Sequence, residues 1–536
     1  MKTFGVLAVA LILFSTLAIL GVRYGLPDQG HILSYNCDET IWIEALGHLT
    51  AEHGYNPNPE LNSPSFALLP FATASWIAMK SGWISPNHDK NYLHDHPEQF
   101  GRFYLIGRLL QAGSGVLLIY TVWLVARKMY GLLCANLACL LVALTPGIIA
   151  ASHFMQPNLM VAAVAMGSIG LFLLYEKEPE RRSLLLWGSF FGGLALSTKY
   201  SAAPLLFIVL YTSWRSAPRW KNVAFCFGCY AAGFLVGEPF ILFSLTRFMA
   251  LSHRLTEQVI VQTTVGAPAR QNYLVVLWGF RYALPYALGG VQWLVFLGCL
   301  GWLALRRQSE GLSLLLIALA IFAVSIASVG TVASPARVLI VAPLISLVIA
   351  RLISQGWERS SSWGRTILSS ASVLILCSSG IYAVMITRLH RDIPTQKVTT
   401  EWILSHVPRN SKIGVPRVPY YWSPDILLES YYWPARVQNP YAVENLQFSI
   451  ERARRVDYVM VAMQDRYHAQ LSGPGGMQFL QWLDSGQDFE LVNAYERHLR
   501  WGPFRWSRPE RYGLIDDDLW AYSYFIYKKR VASHAS

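Results

Sequence analysis

Two adjacent carboxylates, Asp38 and Glu39, are the residues of this chain whose types and spacing best suit chemistry. They follow an apolar segment, residues 4–20, so the sequence predicts that they lie where water meets a membrane. Apolar residues then recur at the spacing of one helix face. Asp38 can cap this helix by accepting hydrogen bonds from its first turn, or it can be a catalytic carboxylate at the mouth of a membrane cavity. The stretch alone favours the cap, whereas the rest of the chain favours the catalytic carboxylate.

The composition indicates a protein with many membrane spans. Of 536 residues, 53% are hydrophobic and only 14% are charged, whereas soluble proteins carry roughly 25% charged residues. The net charge is +12, but the basic residues cluster in short loops between apolar runs, which follows the positive-inside rule and weakens any nucleic-acid-binding interpretation. Only Cys37 of the seven cysteines lies in a polar loop, so no extracytoplasmic disulfide framework is expected.

Residues 1–387 alternate between apolar and polar stretches, and we predict that they form a membrane domain. Residues 4–20 are predicted as a retained first span, because no clear cleavage site follows them. A signal peptide is the alternative. The outer loop 23–103 contains the helix of Asp38, which is predicted to lie at the membrane interface. A second interfacial helix is predicted from Phe66 to Met79, interrupted at Pro70. Further spans are predicted at about 104–126, 132–150, 159–175, 222–243, 288–305, 312–329, 338–354 and 366–386.

Residues 184–213 are too short for two full spans, yet the basic residues on either side of them belong on the same side of the membrane. We therefore predict two half-spans that meet at Lys199 on the outer side. The total is about eleven transmembrane helices, with the N-terminus inside and the C-terminus outside.

Composition changes after about residue 388, where prolines, aromatic residues and charges become common. Residues 455–461 and 522–527 predict strands, and residues 400–404 predict a helix. The predicted fold class is therefore a polytopic α-helical membrane protein with a small extracytoplasmic α/β domain at residues 388–536.

Unusual polar residues are predicted at the outer ends of spans or in outer loops. They are Asp38, Glu39, His153, Asn158, Lys199, Glu238 and Arg337. Each has a structural explanation on its own: a helix cap, a snorkelling lysine or an ordinary loop arginine. Together they predict an outward-facing cavity with both signs of charge, since ionisable groups at membrane depth usually face a cavity. We find no P-loop, GxGxxG, HExxH or GxSxG motif, so chemistry on a nucleotide held by a P-loop is not expected.

Several short motifs occur in an order that resembles a known group of enzymes. They are Asn-Cys-Asp-Glu at 36–39, Asn-Ser-Pro-Ser-Phe at 62–66, Gly-Arg-Leu-Leu at 107–110, the turn 152–158, Gly-Leu-Ala-Leu-Ser-Thr-Lys-Tyr at 193–200, Ala-Arg-Val-Leu-Ile-Val-Ala-Pro at 336–343, and residues 402–413. This order resembles the GT-C class of membrane glycosyltransferases, specifically protein O-mannosyltransferases and bacterial lipid A aminoarabinose transferases. The resemblance extends to about residue 415.

The resemblance implies a polyprenyl-phosphate-linked sugar as donor and a hydroxyl of a lipid, polysaccharide or protein as acceptor. Asp38 would be the general base, with Glu39 tuning it. The residues implied to bind substrate are Lys199, Arg337 and, more weakly, Arg108 at the phosphate, with His153 and Asn158 orienting the acids. The resemblance also implies a bacterial plasma-membrane location with the site and the C-terminal domain outside.

Asn158 departs from the family, which usually has an aspartate in this turn. An asparagine accepts a hydrogen bond but carries no charge, so dependence on a divalent metal, the only cofactor that the resemblance suggests, is left open. The rival interpretation is a transporter or a flippase for lipid-linked sugars. It predicts internal repeats, which the sequence does not show, and it gives the outer loop and the C-terminal domain no role.

Overall fold

The computed structural model describes residues 4–49, 65–85, 87, 89–243, 246, 283–306, 312–328, 338–472, 474–496, 498–501, 504–506 and 522–530. The chain divides into two compact units. The first comprises residues 1–22, 41–86 and 103–387, and the second comprises 23–40, 87–102 and 388–536. The sequence-based division placed the whole loop 23–103 with the membrane domain, whereas the spatial grouping assigns both ends of that loop to the unit that contains the C-terminal region.

Helices dominate the chain up to residue 389. They are Gly5–Gly21, Cys37–Gly47, Leu68–Lys80, Lys90–Asp95, Pro97–Tyr130, Leu132–Ala143, Pro146–Ser152, Asn158–Lys177, Arg182–Leu196, Leu205–Arg215, Arg219–Gly237, Leu284–Leu288, Gly290–Arg306, Ser313–Ser328, Ala342–Arg359 and Ser362–Leu389. A helix therefore occurs in every stretch that the sequence predicted to span the membrane.

Three helices of the described residues are long and apolar enough to cross a membrane: Pro97–Tyr130, Asn158–Lys177 and Ser362–Leu389. Leu132–Ala143 and Pro146–Ser152, which are bent by 55° at their junction, make a fourth span if they are taken as one. The total of about eleven spans stays a prediction.

The Lys199 segment separates two short helices. Arg182–Leu196 ends before it, and Leu205–Arg215 begins after a single 3-10 turn. Two half-helices meeting at Lys199 are thus confirmed, while the side of the membrane stays a prediction. The first half-helix packs backbone to backbone on Arg219–Gly237, because a Cβ at Gly193 would lie 1.8 Å from the Tyr230 carbonyl oxygen.

The predicted interruption of the second interfacial helix at Pro70 is wrong. Pro70 lies in the first turn of the continuous helix Leu68–Lys80. A proline is tolerated there, since the first N–H groups of a helix have no partner within the helix and the fixed φ of proline suits the helical backbone.

The C-terminal part of the second unit is a mixed sheet with helices. The strands are β1 (Lys412–Val415), β2 (Ala442–Asn445), β3 (Tyr458–Ala462), β4 (Phe489–Tyr495), β5 (Leu499–Trp501), β6 (Phe504–Trp506) and β7 (Tyr524–Lys529). Five strands form one sheet in the order β2-β1-β3-β7-β4, and β5 pairs with β6. β1 runs parallel to β2 and β3, whereas β7 is antiparallel to β3 and β4.

The helices of this region are Thr395–His406, Asp425–Tyr432, Ile450–Ala453, Met463–Leu471 and Pro474–Asp484. The predicted helix at 400–404 and the predicted strands near 455–461 and 522–527 are confirmed, each shifted or extended by a few residues. Every residue of β3 is buried, as expected for a central strand covered on both faces.

Candidate functional site

The helix that carries the two acids begins at Cys37, and its cap is Asn36 rather than Asp38. The Asn36 side-chain oxygen accepts a hydrogen bond from the Asp38 N–H at 2.9 Å, and the Asn36 carbonyl accepts one from Glu39 N–H at 3.1 Å. Asparagine is a strong N-cap residue. The capping explanation for Asp38 is therefore wrong, because Asn36, two residues earlier, already fills that position.

The two carboxylates differ in their surroundings although they are neighbours in sequence. The Asp38 side chain is exposed. Glu39 is fully buried and accepts a short hydrogen bond from the Ser34 hydroxyl, which itself accepts one from Asn36 N–H at 3.1 Å. Glu39 thus fixes the turn before the helix, and Asp38 is the carboxylate that a substrate in solution could reach.

Lys199 and Asn158 come together at the break between the half-helices. The Lys199 ammonium donates to the Asn158 side-chain oxygen at 2.5 Å, and the Asn158 amide group donates to Gln156 at 2.7 Å. Asn158 is almost completely buried, at 2% exposure, and Lys199 is half-buried. The amide oxygen and the ammonium match as acceptor and donor, so the lysine is positioned without loss of its positive charge.

A contact that the sequence analysis missed lies next to this pair. Ser65 donates to the buried carboxylate of Glu238 twice, through its backbone N–H and through its hydroxyl at 3.0 Å. Phe66 N–H donates to the Ser197 carbonyl at 3.0 Å, and a Cβ at Gly237 would lie 2.0 Å from the Ser197 hydroxyl. The start of the second interfacial helix is therefore fixed to the Lys199 segment. The sequence analysis used the motif at 62–66 only for the family resemblance, and it gave no signal for this contact.

His153 and Arg108 both contact the end of the first helix. The His153 ring nitrogen Nε2 lies 3.0 Å from the Leu17 carbonyl oxygen, and Arg108 donates to the Val22 carbonyl at 2.9 Å. Both side chains are fully buried, and the Arg108 guanidinium lies 5.5 Å from the centre of the Phe154 ring. These contacts position the chain where it leaves the first helix. The orienting role of His153 and Asn158 toward the first-loop acids stays a prediction.

Arg337, the second phosphate candidate, lies outside the described residues. The side chains around Asn158 show whether a divalent metal ion fits there, because the family usually has an aspartate at this position. Its side-chain oxygen already accepts from the Lys199 ammonium. In the described ranges, no group of three or more His, Cys, Asp and Glu side chains comes together as metal ligands. In the part of the chain that the structure describes, the Asn158 side-chain oxygen therefore serves the Lys199 ammonium.

The segment just before the acids packs on the C-terminal region within the second unit. His31 lies between two carboxylates, with its Nδ1 3.4 Å from Asp425 and 3.6 Å from Glu429. Its ring stacks on Tyr35 at a centroid distance of 3.7 Å. Tyr35 donates to Asp425 at 3.1 Å, and Ile32 N–H donates to Glu429 at 2.8 Å. No sequence signal predicted this cluster, because its members are almost 400 positions apart along the chain.

The cluster is completely buried, and burial dominates its electrostatics. Burial raises the pKa of the Asp425 carboxyl to about 7, with the positive form of His31 opposing the rise and the Glu429 carboxylate adding to it. Burial also raises the pKa of the Tyr35 phenol well above its usual value. Nearby, the Lys397 ammonium donates to Asp28 at 2.7 Å, which fixes the beginning of the same segment.

Comparison with known proteins identifies the fold. The sequence model of a family described as dolichyl-phosphate-mannose-protein mannosyltransferase matches residues 100–243, which include Arg108, His153, Asn158 and Lys199. No curated protein sequence gives a significant match.

Several solved structures are similar to the whole chain. An archaeal oligosaccharyltransferase, AglB from Archaeoglobus fulgidus in complex with an inhibitory peptide and a dolichol-phosphate, superposes with a TM-score of 0.51 at 12% identity, over 95% of this chain and 77% of that one. The A. fulgidus oligosaccharyltransferase tethered to an acceptor peptide gives 0.50 at 12% identity, with the same coverage. ArnT from Cupriavidus metallidurans bound to undecaprenyl phosphate gives 0.43 at 16% identity, over 99% and 98%.

The two oligosaccharyltransferase structures show that the chain has their fold, and together with the mannosyltransferase match they support a membrane glycosyltransferase of the GT-C class. The resemblance drawn from the sequence is confirmed. The chain is an integral membrane protein with a small C-terminal sheet.

Proposed function

We propose that this protein transfers a sugar from a polyprenyl-phosphate donor to an acceptor hydroxyl. The observation that carries the proposal is the contact between Lys199 and Asn158, which lies within the residues matched by the mannosyltransferase family. AglB, which shares the fold, was solved with a dolichol-phosphate. The donor that we propose belongs to the same class of lipid phosphate.

Asp38 is the proposed general base. The acceptor oxygen attacks the anomeric carbon, the bond from that carbon to the phosphate oxygen breaks, and the acceptor proton passes to the Asp38 carboxylate. Asp38 suits this step because its side chain is exposed and is not needed as the cap of its helix. Glu39, the proposed tuning residue, fixes the turn before the helix from its buried position through the Ser34 hydroxyl.

Lys199 is the proposed partner of the departing phosphate. Negative charge grows on the phosphate oxygens as the bond breaks, and a positioned cation stabilises that charge. Because Asn158 is neutral, it holds the Lys199 ammonium without cancelling its charge. We keep Arg337 as a second phosphate ligand. Arg108, which holds the end of the first helix, is the weaker candidate.

We further propose that the acids and residues 388–536 lie on the periplasmic or extracellular side of a bacterial plasma membrane. The alternation of basic loops along the sequence supports this orientation. The transferred group is a hexose or a pentose, and the acceptor is a lipid, a polysaccharide or a protein.

The test uses the purified full chain in vesicles with a sugar-labelled polyprenyl phosphate and crude envelope acceptors. Transfer should release unlabelled polyprenyl phosphate and move the label to the acceptor, and added EDTA shows whether a divalent cation is also needed. A flippase, the rival function, would move the labelled lipid across the bilayer with its sugar still attached. That outcome would contradict the proposal.

A further inference from the structure

The segment 28–40, which ends in the two acids, contacts the C-terminal region at several polar points within the second unit. Asp28 accepts from Lys397 at 2.7 Å, Ile32 N–H donates to Glu429 at 2.8 Å, and the Thr40 and Tyr421 hydroxyls lie 3.1 Å apart. A solvent-exposed loop can satisfy its polar groups with water and does not require contacts of this kind. They restrict the segment before it enters the helix of Asp38.

The centre of these contacts is the buried cluster of His31, Asp425 and Glu429. Each of the three residues is at most 3% exposed, and one carboxylate oxygen each of Asp425 and Glu429 lacks a hydrogen-bond partner. Both nitrogens of the His31 ring also lack a hydrogen bond of good geometry, although Nδ1 lies 3.4 Å from Asp425. Buried groups of this kind cost free energy unless a proton or an opposite charge balances them. The stability of the contact between the segment and the C-terminal region therefore depends on the protonation of the cluster.

We propose that the His31–Asp425–Glu429 cluster is a positioning device, which holds the first outer loop on the C-terminal domain and whose protonation sets how firmly the Asp38–Glu39 helix is held. One part of this inference, the effect of the cluster on proton transfer to Asp38, rests on the proposed function. The tether itself is independent of that function. Asp425, Glu429 and His31 are positioning residues, since they act through the loop and not on the substrate.

The direction of the pH effect follows from the burial of Asp425. Burial raises the pKa of this carboxyl to about 7 when the loop is docked, whereas an exposed aspartate has its usual value near 3.8. The docked state therefore binds a proton that the undocked state releases, and docking weakens as the pH rises from about 4 to about 7. The other charged or titratable groups that face Asp425 are His31, Glu429, Tyr35, Asp28, Lys397 and Tyr524.

Hydrogen exchange of the full chain in detergent measures the tether without any substrate. After correction for intrinsic exchange, protection of amides 31–36 in the wild type should fall by up to about tenfold per pH unit between pH 5 and 7. Asp425→Asn keeps an acceptor for the Tyr35 hydroxyl but cannot ionise, so this slope should disappear. Asp465→Asn is the matched control: Asp465 is also buried, with a pKa raised to about 6, but it accepts from Ala462 N–H. This control should keep the wild-type slope.

Glu429 supplies a second, independent test. Glu429→Ala removes the acceptor of Ile32 N–H and should lower the protection of amides 31–36 by about fivefold, whereas Glu429→Gln keeps an acceptor and should restore much of it. In the transfer assay, Glu429→Ala should lower kcat by about a hundredfold with the donor KM unchanged, because the acid is displaced while the phosphate site is intact.

Wild-type protection in Glu429→Ala would overturn the tether. A wild-type pH slope in Asp425→Asn would overturn its control by the protonation of Asp425. Reduced protection with unchanged kcat would overturn the positioning role. If the wild type itself transfers no sugar but the exchange results are as expected, the proposed function fails and the tether stands.

Discussion

The two polar regions of the molecule hold their charges in different ways. In the first unit, the Lys199 ammonium donates to the neutral amide of Asn158, and the Glu238 carboxylate accepts from Ser65. In the second unit, ionisable groups contact one another, as His31 does with Asp425 and Glu429. A neutral hydrogen-bond partner does not itself compensate the charge that it holds, whereas ionisable groups in contact titrate as a coupled set. The proposals made above assign phosphate binding to the first region and a response to pH to the second.

The largest effect is expected at Asp38. Asp38→Asn should lower transfer by about 10²–10⁴-fold, since an amide cannot accept a proton near neutral pH. The melting temperature should hardly change, because Asn36 rather than Asp38 caps the helix. A radiolabel transfer assay and a thermal melt of the same preparation measure both quantities.

Asn36→Ala is the matched control for the loss of the helix cap. It should cost about 1 kcal/mol of stability. Wild-type transfer by Asp38→Asn would show that Asp38 is not the base, and Glu39 and Glu238 would then be the next carboxylates to test.

The second effect is expected at Lys199. Lys199→Ala should weaken transfer by the equivalent of about 2–5 kcal/mol, the cost of removing one partner from a desolvated charge pair. Asn158→Asp should also weaken the use of donor, since a carboxylate would neutralise the ammonium that it holds. Titration of the rate with donor concentration measures both variants.

Lys177 offers a control lysine, which is exposed and donates to the Lys128 carbonyl. Lys177→Ala should keep wild-type kinetics. If Lys199→Ala does so too, Lys199 is a snorkelling residue at the edge of the membrane and the binding role of the first region is lost.

A smaller effect, on stability alone, is expected at Glu238. Glu238→Ala leaves the buried Ser65 N–H without its acceptor, which should cost about 1–3 kcal/mol. Ser65→Ala removes only the hydroxyl and should cost less, because the backbone N–H can still donate. Thermal melts in one detergent compare the two. Equal losses would mean that the carboxylate does not hold the Ser65 backbone.

The smallest effect is a change of slope with pH in the C-terminal domain. Burial lowers the pKa of His468 to about 4, so the unfolded state binds more protons between about pH 4 and 6.5, and this residue makes stability rise with pH. Burial raises the pKa of Asp465 to about 6, which makes stability fall with rising pH over nearly the same interval.

The two contributions oppose each other in the wild type. Relative to it, Asp465→Asn should make stability rise more steeply with pH, and His468→Gln should make it fall. Denaturant melts between pH 4 and 6.5 measure both slopes. Equal slopes in all three proteins would contradict the two pKa shifts.

The sequence by itself determined the helical elements and the family resemblance. Long apolar runs form helices in a membrane whatever surrounds them, because every backbone N–H and C=O must then bond within the segment. This is why the predicted stretches contain helices and why the break at Lys199 could be located from charge alone. The acid pair at 38–39 could likewise be found, since residue type and position beside the first span define it.

Only the tertiary structure decided which polar groups meet. Asp38 and Glu39 are equivalent in sequence, but burial against Ser34 separates their roles. The cap could be assigned to Asn36 only from a hydrogen bond. Ser65 with Glu238, and His31 with Asp425, are joined across 173 and 394 positions, and no local periodicity encodes such distances. Side-chain contacts of this range depend on how the helices and the sheet pack, so they appear only once the chain has folded.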